Sequence, residues 1–195
     1  MEEKETLNLA RRAPREKKEN SFWDFVKFLF IVLVVVVPIR IFVAQPFIVS
    51  GHSMDPTFSD GQYLIVDELS YRLREPNRGD VVIFRPPLEK SKYYIKRIIG
   101  LPGEIVKING SNITITRTDG STETLVEPYI KNESKDVANS WNLKSDEYFM
   151  MGDNRPFSSD SRAWGPVQKD LLIGRAFLRI FPVAEAGILP GKYRK

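Results

Sequence analysis

A chain of 195 residues has room for one well-buried domain. Its 29 basic and 25 acidic side chains leave a net charge of +4 with no dense Lys/Arg block, so nucleic acid is not an expected partner. The lack of cysteine rules out disulfides and thiolate zinc sites. A single histidine rules out a His-rich metal centre, so no metal or other cofactor is expected.

Residues 1–22 interleave acids with bases and read as a disordered tail. The next stretch, 23–44, is apolar, but its strictly uncharged core runs only from Phe28 to Ile39, short for a membrane span of about 20 residues. With Lys27 and Arg40 snorkelling to opposite interfaces, Phe25 to Ala44 gives about 20 residues and roughly 30 Å, enough for one transmembrane helix. Phe42 and Ala44 precede Gln45-Pro46, a poor cleavage context, so the segment is expected to remain as an anchor. Lys4, Arg11, Arg12, Arg15, Lys17 and Lys18 lie before it and no basic residue occurs between Gln45 and Tyr71. The N-terminus is therefore expected in the cytoplasm and residues 45–195 on the far side of the cell membrane.

Beyond Pro46 short apolar runs alternate with turn signals: QYLIVDEL, GDVVIF, YYIKRIIG, EIVKI, ITITR, EYFMMGD and LLIGRAFLRIF. This is strand spacing, and the scattered prolines oppose long helices. Asn109-Gly110 and Asp119-Gly120 sit between β-rich runs and predict two hairpins, a β-ribbon excursion over 104–126. The expected fold is mainly β, built of antiparallel sheets.

Three polar clusters could carry chemistry. In VSGHSMDPT, residues 49–57, Ser53 is either a turn residue or a nucleophile awaiting a base. His52 is badly placed to be that base, because neighbouring side chains diverge, and no second histidine exists for a triad. In YYIKRIIG, alternation puts Tyr94, Lys96 and Ile98 on one face and Ile95, Arg97 and Ile99 on the other, so one cation must face inward. Lysine becomes a base when burial lowers its pKa, whereas arginine stays charged. Lys96 is thus either a surface lysine or the base. In MGDNRPFSSDSRAWG, residues 151–165, carboxylates, arginines and serines read as an ion-paired loop or as a scaffold that orients a neutral lysine. Their order fits no EF-hand.

Taken together, the anchor, Ser50–Thr57, Arg78–Val82, Tyr94–Glu104 and the boxes Gly152–Arg155 and Ser158–Arg162 resemble the bacterial type I signal peptidases over nearly the whole chain. The resemblance implies a membrane-anchored serine endopeptidase that removes signal peptides from exported preproteins, with a catalytic domain of coiled antiparallel sheets. It implies Ser53 as nucleophile, Lys96 as general base and Ser158 as the hydroxyl that positions the lysine amine. Asp160 with Arg162, and Asp153 with Arg97, form the supporting polar layer by the same likeness. Phe47, Val49, Gly51, Met54 and Ile95 are implied to contact substrate. Some members carry a serine two residues before the nucleophile that assists the oxyanion hole; Gly51 stands there in this chain. Pro156-Phe157 also departs from the polar residues of many relatives. The implied partners are signal peptides, the lipid bilayer and a nearby protein translocation channel. The competing reading is a catalytically inactive, membrane-tethered peptide-binding module of the same fold.

Overall fold

A computed structural model of the chain describes residues 21–37, 44–134 and 136–192. It divides into two units, residues 1–38 and residues 39–195. In the first, helix α1 (Ser21–Ile31) continues into a π-helical stretch, Val32–Val36. Phe22, Trp23, Phe25, Phe28, Phe30 and Leu33 are all exposed, so beside the exposed Asp24–Lys27 pair the helix presents a broad apolar surface, a pattern that suits surroundings other than water. Among the described residues no helix is long and apolar enough to cross a membrane. The expected tail (residues 1–22) lies mostly outside the described residues, and the expected anchor (23–44) has its section 38–43 outside them.

The second unit is mainly β, as expected. Its larger sheet contains β1 (Ala44–Ile48), β2 (Tyr63–Asp67), β3 (Val81–Phe84), β4 (Tyr94–Gly100), β9 (Glu147–Met151), β10 (Val167–Gln168) and β11 (Leu172–Phe181) in the order β1-β2-β11-β3-β4-β9-β10. Strand β12 (Gly187–Ile188) also pairs with β11. The smaller sheet holds β5 (Ile105–Gly110), β6 (Asn112–Thr116), β7 (Thr122–Thr124) and β8 (Asp136–Asn142) in the order β7-β6-β5-β8. Every pairing is antiparallel. Both expected hairpins form: Asn109 pairs with Asn112, and Arg117 N–H donates to the Ser121 carbonyl at 2.8 Å across the Asp119-Gly120 turn. The ribbon is wider than expected, because β8 adds to β5 although its sequence, DVANSWN, is largely polar and exposed.

Alternation explains how one sheet supports cores on both sides. In β3, Val81 and Ile83 join Val49, Met54, Phe58, Leu64 and Val66 on one face, whereas Val82 and Phe84 join Ile98, Tyr148 and Met150 on the other. A third cluster, with Ile99, Val106, Ile113, Ile115 and Phe149, unites β4 and β9 with the ribbon. Burying a side chain of this kind contributes about 1.5–3 kcal/mol, so the loop that brings in Met54 and Phe58 is held firmly to the sheet.

Candidate active site

The loop after β1 closes on itself before it reaches Ser53. Val49 N–H donates to the Gln62 carbonyl at 2.8 Å, Gly61 N–H returns to the Val49 carbonyl at 2.9 Å, and the Asp60 carboxylate accepts from Gly51 N–H at 2.7 Å. On its far side Met54 and Phe58 are driven into the core, at 1% and 0% exposure. Met54, expected to contact substrate, is therefore a core residue that fixes the loop and does not line the cleft. His52 turns away from its neighbour: its Nδ1 lies 3.0 Å from Asp55 Oδ2 and the side chain is mostly exposed.

Asn154, which follows β9, grips this loop from below. Its backbone N–H donates to the Ser53 carbonyl at 3.0 Å and its Nδ2 to the His52 carbonyl at 2.9 Å. Gly152 makes that approach possible. A Cβ there would lie 2.3 Å from Ser158 Oγ and 2.4 Å from the Ser53 carbonyl oxygen, distances that no side chain tolerates. Asn154 belonged to the polar cluster in the sequence, but its two hydrogen bonds to consecutive carbonyls depend on a tertiary contact that no spacing reveals.

Lys96 enters from β4. Its Nζ lies 2.5 Å from Ser53 Oγ and the side chain is 4% exposed. Tyr94, two positions earlier on the same face, places its ring 5.7 Å from the amine. Burial is the main influence on this lysine and lowers its pKa from 10.5 to about 8. The carboxylates of Asp160 and Asp153 oppose that fall, and Arg162 assists it. An amine with this pKa is neutral in about a tenth of molecules at pH 7, against well under a thousandth for an ordinary lysine.

Both cations of β4 are buried, where alternation required at least one to face inward or into a cleft. Arg97 is fully enclosed on the opposite face, donating from Nε to Asp153 Oδ1 at 2.8 Å and from Nη2 to Asp153 Oδ2 at 2.5 Å, beneath the Tyr129 ring at 3.9 Å. Thr57 Oγ1 donates to the same carboxylate at 2.5 Å. The second pair, Arg162 to Asp160, is bidentate at 2.8 Å through Nε and Nη2, and Asp160 also accepts from Gly152 N–H at 3.1 Å. Arg162 continues to Asp136 on β8 at 2.8 Å, so the ribbon is tied into the site. The supporting residues expected from the sequence are thus brought together as two ion pairs. Ser158 is the exception in detail. Its Oγ is buried beside Gly152 but makes no hydrogen bond among the described residues, so the expected bond to the lysine amine is not formed. Among the described residues no cluster of three His, Asp or Glu side chains is fit to hold a metal ion.

A cleft of about 570 Å³ opens over Ser53 and Lys96. Phe47, Val49, Gly51 and Ile95, all expected to meet substrate, line it. Leu64 and Ile83 are lining residues that sequence alone did not single out, and Phe157, noted there only as a departure from relatives, lines it too. Two backbone edges border it. Among the described residues β1 pairs only with β2, and the Tyr94–Lys96 part of β4 pairs only with β3, because its pairing with β9 begins at Arg97. Such edges can accept an extended peptide as an added strand.

The chain belongs to the signal peptidase family, peptidase S26, whose model matches residues 22–181, and it is a peptidase of that family. Removal of signal peptides is the family's activity. The chain is 35% identical over 192 residues to a probable signal peptidase I-2 of Synechocystis sp., covering 94% of this chain and 86% of that protein. It is 36% identical over 179 residues to a signal peptidase I of Bacillus licheniformis, covering 86% of this chain and 93% of the relative. A crystal structure of a signal peptidase I from Enterococcus faecalis V583 is 30% identical, covers 52% of this chain and 97% of its own, and has a TM-score of 0.44.

Proposed function

We propose that this chain is a serine endopeptidase that removes signal peptides from exported preproteins, with Ser53 as nucleophile and Lys96 as general base. The observation that carries the reading is the 2.5 Å approach of the buried Lys96 amine to Ser53 Oγ. An inactive peptide-binding module has no use for a lysine held near neutrality against a hydroxyl.

In the reaction, neutral Lys96 takes the Ser53 proton as Oγ attacks the scissile carbonyl carbon, and the carbonyl becomes a tetrahedral oxyanion. The Ser53 backbone N–H is one donor to that oxyanion. Collapse of the intermediate expels the amine, which takes the proton from Lys96, and the signal peptide remains as an acyl ester on Ser53. A water molecule, deprotonated by the same lysine, releases it. The substrate lies extended between the β1 edge and Tyr94–Lys96, and small residues at the first and third positions before the cut enter the shallow apolar wall of Phe47, Val49 and Ile95.

Residues 23–44 serve as a single anchor in the cell membrane, with residues 1–22 in the cytoplasm and the catalytic domain, residues 45–195, outside it and close to the translocation channel. The anchor confines the site to the bilayer surface where a translocated signal helix ends, raising effective concentration without further contacts. The test is preprotein cleavage in detergent by Ser53→Ala and Lys96→Ala. Both variants are expected to lose at least a thousandfold in kcat, on the order of other nucleophile and base removals. Normal turnover by either one refutes the assignment.

A further inference from the structure

Arg97 is fully buried, so the N–H groups of its guanidinium call for protein acceptors. Asp153 takes Nε and Nη2. The remaining nitrogen, Nη1, donates to the Gly79 carbonyl at 2.9 Å and, more closely, to the Gly191 carbonyl at 2.6 Å. Gly191 comes from the far C-terminal end of the chain, a segment that resembles no motif and contributes no side chain to the cleft.

The segment is held in place by a specific route. β12 pairs with β11, Leu189 N–H donates to the Phe177 carbonyl at 2.6 Å, and Lys192 N–H closes a turn onto the Leu189 carbonyl at 3.0 Å. Leu189 has φ +50, a left-handed conformation that disfavours a branched side chain and is tolerated where surrounding contacts enforce it. Gly191 follows at φ +80, pressed so near the nucleophile loop that a Cβ there would lie 2.8 Å from Thr57 Cγ2 and 3.0 Å from Phe58 Cε2. Thr57 is itself a hydrogen-bond donor to Asp153. The chain end therefore touches the Arg97–Asp153 pair twice, through Arg97 directly and through Thr57.

We propose that residues 187–192 form a C-terminal strap whose Gly191 carbonyl acts as a positioning group for catalysis, holding Arg97 square to Asp153 so that this carboxylate, whose charge acts on Lys96 from the other face of β4, stays neutralised. The proposal rests on Lys96 being the general base. Ser53 Oγ and the Tyr94 ring lie against the Lys96 amine, and the charges of Asp160, Asp153 and Arg162 act on it through space. Asp160 is balanced by Arg162, which also serves Asp136. Asp153 is balanced by Arg97, near which Tyr129 and Glu127 also lie. Without the Gly191 carbonyl, Arg97 keeps a buried N–H that must turn toward another acceptor, and its fork no longer matches Asp153. A less compensated Asp153 favours the ammonium form of Lys96, so the base forms only at higher pH. This effect differs from simple loosening of the fold, which lowers activity alike at every pH.

The experiment uses the full-length protein in detergent with a preprotein substrate, comparing a stop codon at Gly191, which removes residues 191–195, with a stop codon after Lys192, which removes only 193–195. The shorter chain is expected to show kcat reduced about tenfold near neutral pH, KM within about twofold, and a rising limb displaced upward by about one pH unit, so that activity returns in alkaline buffer. The chain ending at Lys192 is expected to match the parent. Gly191→Ala, which keeps the whole chain but pushes the carbonyl away from Arg97, is expected to displace the limb in the same direction by a smaller amount, and it carries the test if the truncated chain does not fold. A parental pH profile in Gly191→Ala or in the folded truncation overturns the strap, whether the activity is unchanged or uniformly lowered, as does an equal loss in both truncations. Parental cleavage by Lys96→Ala in the same assay overturns the base assignment instead, which keeps the two failures apart.

Discussion

Replacing Lys96 by methionine is expected to make the protein more stable and inactive, and the gain in stability should fade as the pH rises. Methionine keeps the length and apolar stem of lysine and removes the amine. In the folded protein burial lowers the Lys96 pKa from 10.5 to about 8. Below pH 8 the amine is protonated both folded and unfolded, and enclosing the charge costs about 3 kcal/mol. Between the two values the unfolded chain binds the proton and the folded one does not, so parental stability rises with pH. Above 10.5 the cost has vanished. The advantage of Lys96→Met should therefore be about 3 kcal/mol larger near pH 7 than near pH 11, with less than about 1 kcal/mol of it remaining at pH 10. The lost hydrogen bond to Ser53 and the altered packing contribute an offset that does not vary with pH. Thermal unfolding of both proteins in the same detergent, at intervals from about pH 7 to 10, reads the difference as a Tm gap that narrows by several degrees. A gap that stays constant across this range refutes the claim that burial in the folded protein lowers the Lys96 pKa.

Cleavage by the parental protein should rise about tenfold per pH unit below pH 8 and level off above it, because the proposed base acts as the neutral amine; a pH–rate profile that falls over this range contradicts the lysine base. His52→Ala should leave kcat/KM within about threefold, since the imidazole faces Asp55; a loss of several hundredfold in the preprotein assay restores histidine as a catalytic group. Gly152→Ala should lower kcat by at least a hundredfold with a clear drop in Tm, because its methyl group collides with Ser158 Oγ and the Ser53 carbonyl. Asn154→Ala should lower kcat about tenfold with little change in KM, since it releases the His52 carbonyl from below, and steady-state kinetics separate these parameters.

The strand content was legible because the signal was local. Four consecutive apolar residues in VVIF suit a strand covered on both faces, and Asn109-Gly110 and Asp119-Gly120 specify tight turns through their own backbone preferences. Strand β8 was not legible. Its side chains are mainly polar and exposed, and it is a strand because β5 offers an unpaired edge and Arg162 reaches across to Asp136. The two-residue strands β10 and β12 exist only by courtesy of their partners.

In the site, residue types were readable from sequence and roles were not. Composition and adjacency by themselves excluded a histidine triad and thiolate or His-rich metal sites, made Lys96 a candidate base, and set Lys96 and Arg97 on opposite faces of one strand. Which faces would be covered was a tertiary matter. The loop that carries Ser53 and the Asp160–Arg162 pair enclose Lys96, while Asp153, Gly79 and Gly191 enclose Arg97. The same dependence took Met54 out of the cleft and into the core, and made Asn154 the support beneath Ser53. Alternation along a strand follows from covalent geometry and is written in the sequence. Burial, and with it the lysine's lowered pKa, depends on groups more than forty positions away, which only folding brings within a few ångströms.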